Sequence, residues 1–118
     1  MSQNPIPKTT WETAEASAPM ARQFLQIKRQ FPDAIVFFRL GDFYETFNDD
    51  AEIAARVLNI TFTSRKMQGD TRWPMAGVPH HAVAHYLARM VRAGYKCAIV
   101  DQMEEPSGKL VERAVTRV

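Results

Sequence analysis

Phe43 and Glu45 stand two residues apart in the run GDFYETF, which spans Gly41 to Phe47. Side chains two apart on a strand share a face, separated by roughly 6.5 to 7 Å. Such a stretch can present a flat ring and a hydrogen-bonding carboxyl to the same neighbour. A stack of nucleic-acid bases is one such neighbour, because an inserted ring replaces lost stacking while the carboxyl bonds to the edge of the disturbed base. The plainer reading is a core ring beside a surface acid, since aromatic residues on strands are commonly buried. Tyr44 takes the opposite strand face and is expected to pack beneath the pair.

Other residues invite other chemistry. Arg65 and Lys66 open a polar loop, RKMQGDTR, that Arg72 closes; it is the densest basic stretch in the chain and a candidate set of phosphate contacts, against the plainer reading of solvated loop charge. Met67 at its tip is equally suited to packing on a sugar or to simple exposure. His80, His81 and His85 suggest a metal site, but no Glu follows His81 as a zincin motif requires, no Cys pair exists and a third ligand is not evident. His81 is better placed near the start of the third helix, where helix amides and an imidazole together hold a phosphate. Asp42, Glu45, Asp49, Asp50 and Asp101 supply carboxylates for a metal-dependent nuclease, the main enzymatic alternative. Asp49 and Asp50 are accounted for as helix caps, however, and no Lys follows the acids at nuclease-like spacing. A further alternative is a protein-interaction module whose exposed Phe43 docks in a partner's pocket. Steep weakening by salt marks DNA binding and separates it from that apolar contact.

The whole chain bounds these readings. Its 118 residues, 46% hydrophobic and 24% charged, suit one soluble domain with a modest core. No run approaches the eighteen or so apolar residues of a membrane helix, and the start MSQNPIPKTT lacks the pattern of a secretion signal, so a cytoplasmic location is expected. Cys97 is the only cysteine; its setting in CAIV predicts a buried thiol and excludes a disulfide framework. The net charge of +2 is unevenly spread, with the basic excess in residues 51–118, where phosphate contacts are to be sought.

The elements follow from periodicity. Residues 1–16 lack apolar period and are expected to form a flexible tail, leaving 17–118 as the domain. Ser17 and Pro19 signal a helix start, Met20, Phe24 and Ile27 recur at helical spacing, and Pro32 forces the stop. AIVFFRL (Ala34 to Leu40) is a central strand, with Gly41 a turn or bulge before GDFYETF continues. Asp49 with Glu52 resembles a helix cap leading into AEIAARVL. Asn59 to Ser64 alternates as a half-buried strand and begins a long hairpin, whose return WPMAGVP is limited by Pro74 and Pro79. Val83, Tyr86, Leu87, Met90 and Val91 define a third helix ended by Gly94. KCAIVDQ is another core strand, EEPSGK a turn and LVERAVTRV a last, more exposed strand. Five to six strands alternating with about three helices give an α/β or α+β fold.

GDFYETF followed by PMAGVPHHAVAHYLARMVRAGYKCAIVDQ, with the short helix and a TSR segment between them, resembles the N-terminal mismatch-recognition domain of the MutS family of DNA mismatch repair proteins. The similarity covers roughly Pro19 to Val118 and implies a mixed sheet flanked by helices. It also implies that Phe43 stacks on a mispaired base from the minor groove while Glu45 hydrogen-bonds to it. The partners so implied are double-stranded DNA with mismatches or small loops, a second copy of the full-length protein and downstream repair proteins such as MutL, all at the bacterial nucleoid. Full-length members add connector, lever, clamp and ATPase domains that use ATP and magnesium. This chain is then a noncatalytic fragment with no cofactor of its own: its only Gly-Lys, Gly108-Lys109, is followed by Leu110 and lacks the Gly-rich run of a phosphate loop. For Glu45, the phosphate field and partial burial are expected to raise the pKa, so that a protonated carboxyl donates to a purine and the ionised form penalises sound duplex.

Overall fold

The computed structural model describes residues 19–68, 71–102 and 113–117. At its centre lies β1 (Ala34–Leu40), apolar on both faces because both faces are covered. Val36 and Phe38 enter one core layer, Ile35 and Phe37 the other, each at 4% exposure or less. β1 pairs antiparallel with β2 (Phe43–Phe47) and parallel with β5 (Lys96–Gln102). β4 (Thr71–Pro79) lies between β2 and the edge strand β3 (Thr63–Gln68), and β6 (Arg113–Arg117) forms the other edge beside β5. The order is β3-β4-β2-β1-β5-β6, with β1·β5 the one parallel pair among the described residues, so the sheet is mixed. Three α-helices among the described residues complete the expected α+β class.

α1 (Pro19–Gln30) covers the first face, where Ala21, Phe24, Leu25 and Ile27 pack with Val36, Phe38, Phe47 and Trp73. The Phe24 ring meets those of Phe38, Phe47 and Trp73 edge-on at centroid distances of 6.0, 5.1 and 6.1 Å. α2 (Asn48–Leu58) and α3 (Val83–Arg92) cover the second face through Ala54, Leu58, Val83 and Met90, packed with Ile35, Phe37, Tyr44 and Val78. Gly94, at φ 97°, follows α3 as expected. Cys97 is buried, and burial, with the charge of Asp50 adding to it, pushes its thiol up to about 11. Among the described residues no helix is long and apolar enough to cross a membrane.

Several local expectations are corrected. Neither Asp49 nor Asp50 caps α2: the cap residue is Phe47, without a side-chain cap bond, and the chain enters the helix through Asn48 at φ 58°, a left-handed conformation that Asn tolerates. Asp50 instead reaches β1, accepting from the Val36 N–H at 3.0 Å and from Lys28 Nζ at 2.9 Å. Burial holds its carboxyl above the usual range against the pull of those two donors. Asn59 to Phe62 form no strand; Asn59 ends α2 at φ 56° and Phe62 is 51% exposed. Of the expected polar loop, Arg65 to Gln68 belong to β3 and Thr71 and Arg72 to β4. Pro74 and Pro79 do not shorten β4, which runs nine residues through both. Pro74 stands opposite Ser64 on the edge strand and Pro79 is the last residue, so each removes at most one ladder bond. Val91 is 61% exposed rather than on the packed stripe of α3. Ser17, residues 1–16 and the EEPSGK turn lie outside the described residues.

Candidate nucleic-acid interface

Gly41, at φ 59°, reverses the chain between β1 and β2, so that Phe43 opens β2 directly opposite Leu40. Both sides of that turn are pinned: Arg39 Nε donates to the Gly41 carbonyl at 2.6 Å, and the His80 N–H donates to the Asp42 carbonyl at 2.8 Å. Alternation along β2 then puts Phe43, Glu45 and Phe47 on the face that carries α1. The helix covers Phe47, at 1% exposure, but leaves Phe43 at 44%. Sequence pattern alone allowed a core ring at this position; the structure places it outside.

Tyr44 points the other way and is buried, as expected of a support. Its hydroxyl donates to Asp101 on β5, and the Arg39 guanidinium lies 5.6 Å from its ring centre. Burial and then Asp101 raise the phenol pKa, so the hydroxyl keeps its proton and its bond. Arg39 and Asp101 thus brace the strand from behind, a role that sequence spacing did not reveal because β5 is distant in the chain.

Glu45 is half-buried, with Phe38 on β1 and Gly77 on β4 as its cross-strand neighbours. Burial raises its pKa and the charge of Arg65 lowers it, with burial the larger influence. Arg65 stands opposite Trp73, four residues before Gly77 on the same strand face, so Phe43, Glu45 and Arg65 share one side of the sheet. Lys66 and Arg72 oppose one another and by alternation belong to the reverse face of the hairpin. Arg72 is turned onto Ser64, its Nε 2.9 Å from Oγ and its guanidinium 3.3 Å from the carbonyl oxygen.

His81 is exposed in a short 3-10 turn (His80–Ala82) just ahead of α3, two residues beyond the Pro79 that pairs with Phe43. Its ring lies 6.0 Å from that of His80, while His85 packs on Tyr86. Among the described residues no three of His, Cys, Asp and Glu are grouped to hold a metal ion. Of the carboxylates in the nuclease reading, Asp50 and Asp101 are each engaged in separate structural bonds. Gly77 was missed as a site residue, although a lone glycine inside a strand pattern signals close approach by another group.

Residues 18–118 match the family model described as MutS domain I. The chain is 55% identical over 108 residues to the DNA mismatch repair protein MutS of Anaeromyxobacter sp. (strain K), which covers 91% of this chain and 12% of that protein. It is 55% identical over 105 residues to the MutS of Symbiobacterium thermophilum, covering 86% of this chain and 12% of the relative. It is 50% identical over 107 residues to the MutS of Lactococcus lactis subsp. lactis, covering 89% and 13% respectively. The chain therefore spans about an eighth of the length of these curated relatives. With the family model matched across all of its described residues, the chain belongs to the MutS domain I family.

Proposed function

We propose that this chain probes double-stranded DNA for mispaired or unpaired bases, with Phe43 inserting beside the faulty base from the minor groove and Glu45 hydrogen-bonding to it. The observation that carries the reading is the 44% exposure of Phe43 at the head of an interior strand, beside a half-buried carboxyl whose pKa burial has already raised. A mispaired step unstacks and kinks more readily than sound duplex, so inserting the ring costs less there. Glu45 in its protonated form donates to a base acceptor, and in its ionised form it is repelled by the phosphates of intact duplex. Arg65 is the basic residue best placed to contact the backbone beside the ring; Lys66, Arg72 and His81 supply more peripheral phosphate contacts.

The chain itself is a binding domain with no cofactor. ATP hydrolysis with magnesium belongs to other domains of a full-length, dimeric mismatch repair protein that acts in the bacterial cytoplasm, at the nucleoid, with MutL downstream. The relatives' name, DNA mismatch repair protein MutS, supports this assignment.

Phe43→Ala in the full-length protein tests the reading. Loss of one stacked ring, worth about 1–3 kcal/mol, should weaken binding to a G·T duplex by roughly 5- to 150-fold while matched-duplex affinity stays within about twofold. Because the ring is largely outside the core, the variant should remain folded. A folded variant that still separates G·T from matched DNA as well as wild type refutes the assignment.

A further inference from the structure

Gly77 sits inside β4, directly across from Glu45, at a place where strands ordinarily carry a side chain. A methyl carbon built there would fall 2.7 Å from the Glu45 carboxyl carbon and even closer to its Oε1, against 3.1 Å from the nearest backbone atom, the Tyr44 carbonyl oxygen. The space that a side chain at 77 would fill is thus the space that the Glu45 carboxyl occupies. The backbone at Gly77 has no positive φ, so the glycine is not required by conformation. We propose that Gly77 is the positioning residue for Glu45: its missing side chain leaves a hollow in the sheet that seats the carboxyl beside Phe43, and any side chain there expels it.

This rests on the reading of Glu45 as the group that meets a mispaired base, and it adds how that group is held. Seated over Gly77, the carboxyl is partly withdrawn from water, which favours its protonated form. The charged group that faces it is Arg65 from β3; its β1 and β4 neighbours, Phe38 and Gly77, carry none. A carboxyl pushed out to solvent would lose that environment and titrate as an ordinary glutamate. The collision involves the mobile end of a long side chain and leaves the Tyr44 carbonyl at a tight but adjustable distance, so Gly77→Ala should displace Glu45 rather than unfold the sheet.

Carbon-detected NMR titration of the Glu45 carboxyl in this 118-residue chain reads its placement with no DNA present. The expected result is a Glu45 midpoint that is elevated in wild type and lower in Gly77→Ala, close to that of an exposed glutamate. An unchanged midpoint in a folded Gly77→Ala overturns the proposal. Should Gly77→Ala fold poorly, the double variant Gly77→Ala/Glu45→Ala decides: melting like Glu45→Ala alone supports the hollow, whereas equal disruption means that backbone crowding is responsible and overturns it. In the full-length protein, Gly77→Ala should reduce the G·T-to-matched affinity ratio about tenfold, to the level of Glu45→Ala, and the double variant should fall no further. A displaced Glu45 with an unchanged ratio overturns the role of the hollow in mismatch reading. Failure of Phe43→Ala to alter discrimination, by contrast, concerns the function itself and leaves the carboxyl titration standing.

Discussion

Replacing Glu45 by Gln removes one ionisable carboxyl while keeping its volume and hydrogen-bonding reach. In the proposed complex, a carboxylate about 10 Å from a phosphate is opposed by ~1.7 kcal/mol at an effective dielectric near 20, and one Debye length of salt screening leaves roughly 0.6 kcal/mol. Two flanking phosphates together give about 1 kcal/mol, a factor of roughly 5 to 10 in affinity. Matched duplex should therefore bind Glu45→Gln about 5- to 10-fold more tightly than wild type, while a G·T duplex, already met by a protonated carboxyl, should change by about twofold or less. Discrimination falls because unwanted binding improves. The assay is equilibrium fluorescence anisotropy on both duplexes, at two salt concentrations and across a pH series. The pH arm has a fixed sign. Burial raises the Glu45 pKa, so wild type should resemble the Gln variant at low pH and lose matched-duplex affinity as pH rises through the raised value. The Gln variant should show no such decline. The same shift makes the folding stability contributed by Glu45 fully present below its unfolded pKa and lost as pH rises through the folded one. Matched-duplex binding that fails to tighten in Glu45→Gln refutes the reasoning.

Asp50→Ala should lower stability by about 2 kcal/mol, because it leaves the buried Val36 N–H without its acceptor, while Lys28, whose side chain is 30% exposed, can be solvated. Thermal melting checks this, and an unchanged midpoint would show that the Asp50 carboxyl contributes nothing through Val36 and Lys28. Cys97, with its thiol held near 11, should be only ~0.1% thiolate at about pH 8, so iodoacetamide should modify it roughly a hundredfold more slowly than a free thiol. Modification at the free-thiol rate would mean that the β5 core opens readily.

The central strands were legible because β1 and β5 are covered on both faces and so read as continuous apolar runs, AIVFFRL and KCAIV. The β3–β4 hairpin was misplaced because its far end is exposed on both strands, where Arg65 and Lys66 on β3 and Arg72 on β4 give no apolar alternation to read. Asp50 was misjudged for a different reason. A carboxylate early in a helix usually serves the helix itself, and its use by Val36 and Lys28 depends on a contact between distant parts of the chain. At the candidate site, the spacing of Phe43 and Glu45 fixed their shared face. The bare opposite position at Gly77 and the brace from Asp101 required knowing which strands lie side by side.

Phe43 stands at the head of a strand that has bonded neighbours on each side, β1 and β4, with Tyr44 anchored to β5 behind it. When two bodies press against one another, the softer one yields. A ring mounted on a free loop would recoil from a resisting base step and register little. Mounted on the interior of a six-stranded sheet, it has almost nowhere to retreat, so the deformation falls on the DNA, whose resistance varies with the soundness of its pairing. The stiffness of the mount is what turns a difference in duplex compliance into a difference in affinity.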